Sequence, residues 1–185
     1  MKLRSIASIN SGIYSSTISK GEVYYIQARD FGDNRQLANN LAPSLSYTEN
    51  LEKHFLSDGD ILIVAKGASF LSAVFDGSYS PAVASTVFLV IRINNNEQID
   101  PNYISWNLNQ ISTQNYLLSI SRGTSIPSIN KKMLMELDIP VPSIEKQKLI
   151  IELAELQRKD KFLKRKIEEL KEIQTNQIIT NAINN

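Results

Sequence analysis

The chain has 185 residues, 42% of them apolar, with no cysteine, one histidine and a formal net charge of +1. Those totals allow one well-buried domain plus an appendage, and they exclude disulfides, thiolate chemistry, Cys-based zinc sites and His-pair metal motifs. No apolar run approaches the ~18 residues of a membrane span, and the opening MKLRSIASINSG lacks the apolar stretch of a signal peptide, so a cytoplasmic protein is expected.

Taken in chain order, Gly21 to Arg29 is rich in β-branched and aromatic residues and reads as a strand. Asp60 to Ala65 follows the turn residues Ser57-Asp58-Gly59. Phe70 to Phe75 and Ala82 to Ile93 come next, separated by Asp76-Gly77-Ser78. Short continuous apolar runs of this kind suit strands buried on both faces, in a central sheet or small barrel. Asp100-Pro101 supplies an N-cap carboxylate and a proline at the first helical position, and Tyr103, Trp106 and Leu108 follow near helical spacing, Trp106 as a core residue. A second helix is predicted over Gln114 to Ser119, and a loop over Ser121 to Ser128. Asn130 caps a short helix, Lys131 to Leu137. Ile139-Pro140-Val141-Pro142 is extended, because proline biases its predecessor away from helix.

After Pro142 the character changes. From Ser143 to about Ala182 there is no Gly or Pro, and strong helix formers dominate. Leu149, Leu153, Leu156, Asp160, Leu163, Ile167 and Leu170 fall at alternating steps of four and three, a coiled-coil seam with one polar interruption. Ile173, Ile178, Ile179 and Ala182 carry the stripe out of that register, as a stutter does. The expected architecture is therefore α+β: a mixed globular domain over 1–142, then a coiled-coil helix over 143–185. Residues 1–142 hold 11 Lys and Arg against 12 Asp and Glu; residues 143–185 hold 9 against 7. Neither part shows the basic excess of many nucleic-acid binders, so composition assigns no partner.

Catalytic patterns fail. The seven glycines are scattered, and none forms a phosphate loop or dinucleotide fingerprint. No Asn/Asp-Pro-Pro-aromatic methyltransferase loop is present. Asp58, Asp60 and Lys66 match a nuclease acid–lysine pattern poorly, Glu169-x-Lys171 falls on the coiled coil, and His54 stands alone as a structural residue. A non-enzymatic recognition module is the expectation.

A set of short motifs then points to a family. Leu3-x-x-Ile6-x-x-Ile9-x-Ser11-Gly12, Tyr25-Ile26-Gln27 with Asp30, and Leu56-x-x-Gly59-Asp60-Ile61-Leu62 through Lys66-Gly67 come first. Pro101-x-Tyr103-Ile104 follows, then Gly123-Thr124-x-Ile126-Pro127-Ser128-Ile129-Asn130 and Ile139-Pro140-Val141-Pro142-Ser143-x-Glu145-x-Gln147-x-x-Ile150. Each is weak alone, but their order and spacing resemble the specificity subunits of type I restriction–modification systems. The likeness is to a half-subunit, with one target-recognition domain and one conserved-region helix.

That resemblance implies a DNA recognition domain reading one half-site of a bipartite duplex target. It implies a helix that pairs antiparallel with a second copy and docks methyltransferase (modification) and motor-nuclease (restriction) subunits. S-adenosylmethionine and ATP with magnesium would then belong to those partners, and none to this chain. Base readout needs Arg or Lys for guanine and Asn or Gln for adenine on exposed loops, and phosphates take cations, hydroxyls and backbone N–H groups. The candidates are Gln27, Arg29 and Arg35 around the turn after the first long strand; Lys66, Gly67 and Ser69 where a buried strand turns; Arg122, Gly123, Thr124 and Ser125 in the hydroxyl-rich loop; and Lys131 and Lys132 opening a helix. Each is open to a plainer reading as a surface turn or solvated face. Tyr24 or Tyr25 is a candidate for base stacking, one of the two being core. The dimer contacts are Leu149, Leu153, Leu156, Leu163, Ile167 and Leu170. The runs Arg158-Lys159-x-Lys161 and Lys164-Arg165-Lys166 are either a solvated flank or a docking surface. The competing reading is a protein-binding adaptor that dimerises through its C-terminal helix and has no DNA role.

Overall fold

The computed structural model describes every residue except 32–36, 39, 95–97, 122–125 and 185. It divides into two units, Met1–Gln147 and Lys148–Asn185. In the first unit a 3-10 turn at Leu3–Ser5 leads into β1 (Ala7–Ser11), where Ala7 and Ile9 are buried and Ser8 and Asn10 exposed, the period-two pattern of a strand with one covered face. Then come β2 (Tyr24–Ile26), a second 3-10 turn (Ala28–Asp30) and a one-turn helix α1 (Glu49–Glu52). The strands β3 (Ile61–Val64), β4 (Ser72–Val74), β5 (Ala82–Ala84) and β6 (Phe88–Ile93) follow. Helices α2 (Pro101–Leu108), α3 (Ile111–Ile120) and α4 (Lys131–Met135) close the unit, and α5 (Ile144–Asn184) begins in it. The expected α+β class, a sheet with short helices and then a long helix, is what the chain adopts.

Two predicted strands are revised. Gly21–Arg29 is extended only over Tyr24–Ile26, because the Asp30 carboxylate accepts from the Gln27 N–H at 2.7 Å and winds 28–30 into a turn. Ala82–Ile93 is two strands, broken by a tight turn in which the Phe88 N–H donates to Ser85 O at 3.0 Å. The halves join different sheets: β1-β6-β3-β4, antiparallel throughout, and the parallel pair β2-β5. Trp106 is half-buried against Tyr103, with ring centroids 5.7 Å apart, rather than a core residue. Tyr24 and Tyr25 are both half-buried, so neither is full core.

The four-stranded sheet is covered on both faces. Leu62, Phe88 and Val90 pack with Ile26, Leu56, Phe75, Ala82 and Ala84 toward the β2-β5 pair. Ile9, Ile61, Ile63 and Ile91, all fully buried, face the other way. Ser72, paired opposite Ile63, hydrogen-bonds Ser105, which places α2 on that side. Asp100 and Asn130 cap α2 and α4 as their sequences predict, accepting from Asn102 N at 2.8 Å and Met133 N at 3.0 Å.

Side-chain amides finish what the strands leave open. Asn109 bonds both backbone groups of Ser72, at 2.9 and 2.8 Å, and Gln114 bonds both of Phe70, at 3.0 and 2.9 Å. Two amides thus occupy the backbone groups of Ser72 at the start of β4 and of Phe70 just before it, where an uncovered edge would invite pairing with another chain. Gln147 does similar work in the first turns of α5. Fully buried, it accepts from Asp100 N at 2.9 Å and donates to Gln98 O and Pro142 O at 3.0 and 2.8 Å.

The second unit is the remainder of α5. At 1.5 Å per residue, the 41 residues of the whole helix run about 60 Å. Its seam residues are all exposed, from 52% at Ile167 to 63% at Leu149.

Candidate nucleic-acid interface

Where the strands end decides which loops meet. Strands β1, β2 and β3 finish at the same end of the first unit, gathered on the Ser85–Val87 turn between β5 and β6. The Ser85 N–H donates to Ile26 O at 2.9 Å, the Ala65 N–H to Val87 O at 2.7 Å, and the Gly12 and Ile13 N–H groups to Phe88 O and Ala84 O at 3.0 and 2.9 Å. The approach at Gly12 is so close that a Cβ there would lie 2.0 Å from Ser85 O. A further segment joins from the C-terminal side: Lys66 bridges Ser128, the Gly67 N–H donates to Pro127 O at 3.0 Å, and the Ile129 N–H donates to Ala65 O at 2.9 Å.

This end carries most of the described candidates. Gln27 and Arg29 follow Ile26 directly. Gln27 is held by a reciprocal cap with Asp30 that uses its carbonyl oxygen and not its NH2 group, and Arg29 is exposed with its Nε 4.0 Å from Asp30. Lys66 and Ser69 are exposed on the β3–β4 turn. Gly67 stands at φ +136°, a region that favours glycine, and a Cβ there would meet nothing within 4 Å. Asn130 follows Ile129, so the exposed Lys131 and Lys132 start α4 two residues after the strand contact. Arg35, Arg122, Gly123, Thr124 and Ser125 lie outside the described residues.

Two residues that sequence reasoning did not single out join this end. Tyr14 is 82% exposed, and its neighbour Ile13 is fixed by the Ala84 bond and by the Tyr25 hydroxyl, which donates to Ile13 O at 2.9 Å. Thr86 is exposed at the turn itself. A lone aromatic within a hydroxyl-rich stretch was the available signal for Tyr14; Thr86 had none.

Of the acidic residues weighed for catalysis, Asp60 is held by a structural ion pair. Asp60, only 1% exposed, receives Arg92 Nε and Nη2 at 2.7 and 2.6 Å and Ser57 N at 2.8 Å. That carboxylate raises the already high pKa of the Arg92 guanidinium. Among the described residues no group of His, Asp and Glu is arranged to hold a metal ion, and no helix is long and apolar enough to cross a membrane.

A family model described as Type I restriction modification DNA specificity domain matches residues 1–172. Among solved structures, the HsdS subunit from Thermoanaerobacter tengcongensis is similar with a TM-score of 0.60 at 20% identity, covering 89% of this chain and 38% of its own. The S subunit of a type I restriction-modification system from M. genitalium gives 0.55 at 15% identity, covering 84% and 37%. A chain from a structure described as the basis of complex assembly and conformational transition of the type I R-M system gives 0.58 at 19%, covering 89% and 39%. The chain thus spans under two fifths of the length of these proteins, and at such identities the likeness is one of fold. No curated protein sequence matches significantly. With a family model matched over almost its full length, the chain belongs to the type I restriction modification DNA specificity domain family.

Proposed function

We propose that the first unit reads one half-site of a bipartite duplex DNA target through the end that carries Lys66, and that α5 pairs with a second copy and docks the partner subunits. The observation that carries the reading is that Ile26 and Ala65, which lead into Gln27-Arg29 and Lys66-Ser69, both bond the Ser85–Val87 turn, while Pro127-Ile129 joins them through Ala65 and Gly67, within a chain of a DNA specificity family. Such a surface offers cations and hydroxyls for phosphates and amide or guanidinium groups for base edges. The chain itself is non-catalytic in this reading. A methyltransferase subunit would bring S-adenosylmethionine and a motor-nuclease subunit ATP with magnesium, in the cytoplasm.

The seam on α5 supports self-pairing, since six apolar side chains stay largely exposed in one copy. A two-fold homodimer would hold two recognition units on one ruler. The adaptor reading, favoured only by the near-neutral charge, separates cleanly by experiment. Fluorescence anisotropy of the full chain on a ~30-base-pair duplex should show affinity falling steeply with salt. Binding that is absent at 50 mM salt, or insensitive to salt, would return the protein to the adaptor class.

A further inference from the structure

A cleft opens beside β1, on residues other than the candidates above. Ser8 pairs with Arg92 and Asn10 with Val90, so all four share the sheet face that carries Leu62. The segment after α1 crosses this face, with the Leu56 N–H donating to Ala82 O at 2.8 Å, and leaves a gap beside β1. Asn10, Lys53, His54 and Arg92 line the gap together with Phe55, Ala84 and Val90, and no carboxylate lines it. Arg92 is fixed by Asp60 and by Phe55 O through Nε and Nη2, so its other terminal nitrogen takes no part in those contacts. Among the described residues neither the Lys53 ammonium nor the His54 imidazole has a hydrogen-bond or ion-pair partner. An amide, an ammonium, an imidazole and a clamped guanidinium therefore border one gap, in a region whose overall charge is slightly negative.

We propose that this cleft seats a phosphate of the DNA backbone flanking the half-site. The inference rests on the DNA reading above and extends it to residues outside the Lys66 end. Cations and polar side chains of this kind are what phosphate oxygens take. Position agrees: Ser11 precedes Gly12 and Ile13, whose N–H groups anchor at the Ser85–Val87 turn. At ~3.3 Å per residue the cleft begins within about 7 Å of that anchor, so a duplex laid on the Lys66 end reaches it.

The test uses the full chain and a ~30-base-pair duplex. Lys53→Ala should lower the log–log salt slope by about one unit, with Lys53→Arg keeping it, and Lys66→Ala serves as the independent check on the DNA reading. His54 is the single histidine, so its imidazole resonances report the cleft without ambiguity. They should shift on adding duplex at low salt, and respond to inorganic phosphate only at far higher concentration. An unchanged slope in Lys53→Ala, or imidazole signals that ignore the duplex while the wild type binds it, overturns the cleft and leaves the Lys66 end standing. A response to inorganic phosphate as strong as to duplex also overturns it, since the cleft would then be a free-anion site. Absent DNA binding by the wild type overturns both.

Discussion

Substituting Leu156 by alanine gives the sharpest quantitative test of self-pairing through α5. Fully burying a leucine contributes roughly 1.5–3 kcal/mol. Leu156 is 57% exposed in one copy, so a partner helix has about 0.9–1.7 kcal/mol to gain by covering it. A two-fold dimer loses that twice. The expected cost is about 2–3 kcal/mol, a roughly 30–150-fold weaker dimer. Alanine is the best helix former, so the helix itself should persist, which circular dichroism checks. Asp160 makes the complementary prediction: it lies in the seam between Leu156 and Leu163 and is ion-paired to Lys164 at 2.8 Å. Exchanging a charge for an apolar side chain at such a position usually strengthens association, so Asp160→Leu should tighten the dimer at least about tenfold. Sedimentation equilibrium from sub-micromolar to ~100 μM reads both. A monomeric wild type throughout, or an unchanged constant in Leu156→Ala, refutes the paired seam.

Three further outcomes follow from the first unit. Lys66→Ala should weaken binding to all duplex sequences alike and reduce the salt slope by about one unit, measured by anisotropy, whereas sequence-selective weakening would make Lys66 a base contact. Arg92→Ala strips the buried Asp60 of its cation; because Arg92 is itself 45% exposed, the loss should sit near the low end for buried pairs, about 2–3 kcal/mol or roughly 5–10 °C in Tm. Asp76 is held below the usual carboxylate range chiefly by the Ser78 hydroxyl, with help from the Ser78 N–H. A depressed folded-state pKa contributes stability above the unfolded value that is lost as pH falls through the folded one. Ser78→Ala should therefore raise the Asp76 midpoint in an NMR titration and destabilise at neutral pH but not in strong acid.

The elements were legible where local chemistry alone decides them. Continuous apolar runs marked β3 and β6, the Asp100-Pro101 and Asn130 caps marked α2 and α4, and the four-three leucine spacing marked α5. Legibility failed where a backbone partner far along the chain decides. No Gly or Pro marks the Ser85–Val87 turn, and the turn exists because Ile26, Ala65 and Gly12 all bond around it. Asn109, Gln114 and Gln147 look like ordinary polar helix residues, yet each bonds backbone groups 37 to 49 positions away, Gln147 despite belonging to a quoted motif. The same holds for the candidate interface: Gln27, Lys66 and Ser128 were named or adjacent to named residues, but their meeting depends on parallel pairing of β2 with β5, which no local pattern encodes. The basic cleft was missed for a related reason, since Lys53-His54 is an unremarkable pair in sequence and acquires Asn10 and Arg92 only by folding.

Half-site reading by two copies on a helical ruler is tested most directly by methylation-site mapping in cells carrying the chain with its partner subunits. The predicted target is two inverted copies of one short sequence around an unread spacer. Deleting one heptad from α5 keeps the seam in register and removes ~10 Å of helix, which should shorten the preferred spacer by about three base pairs. A single asymmetric target, or a spacer that ignores the deletion, would contradict it.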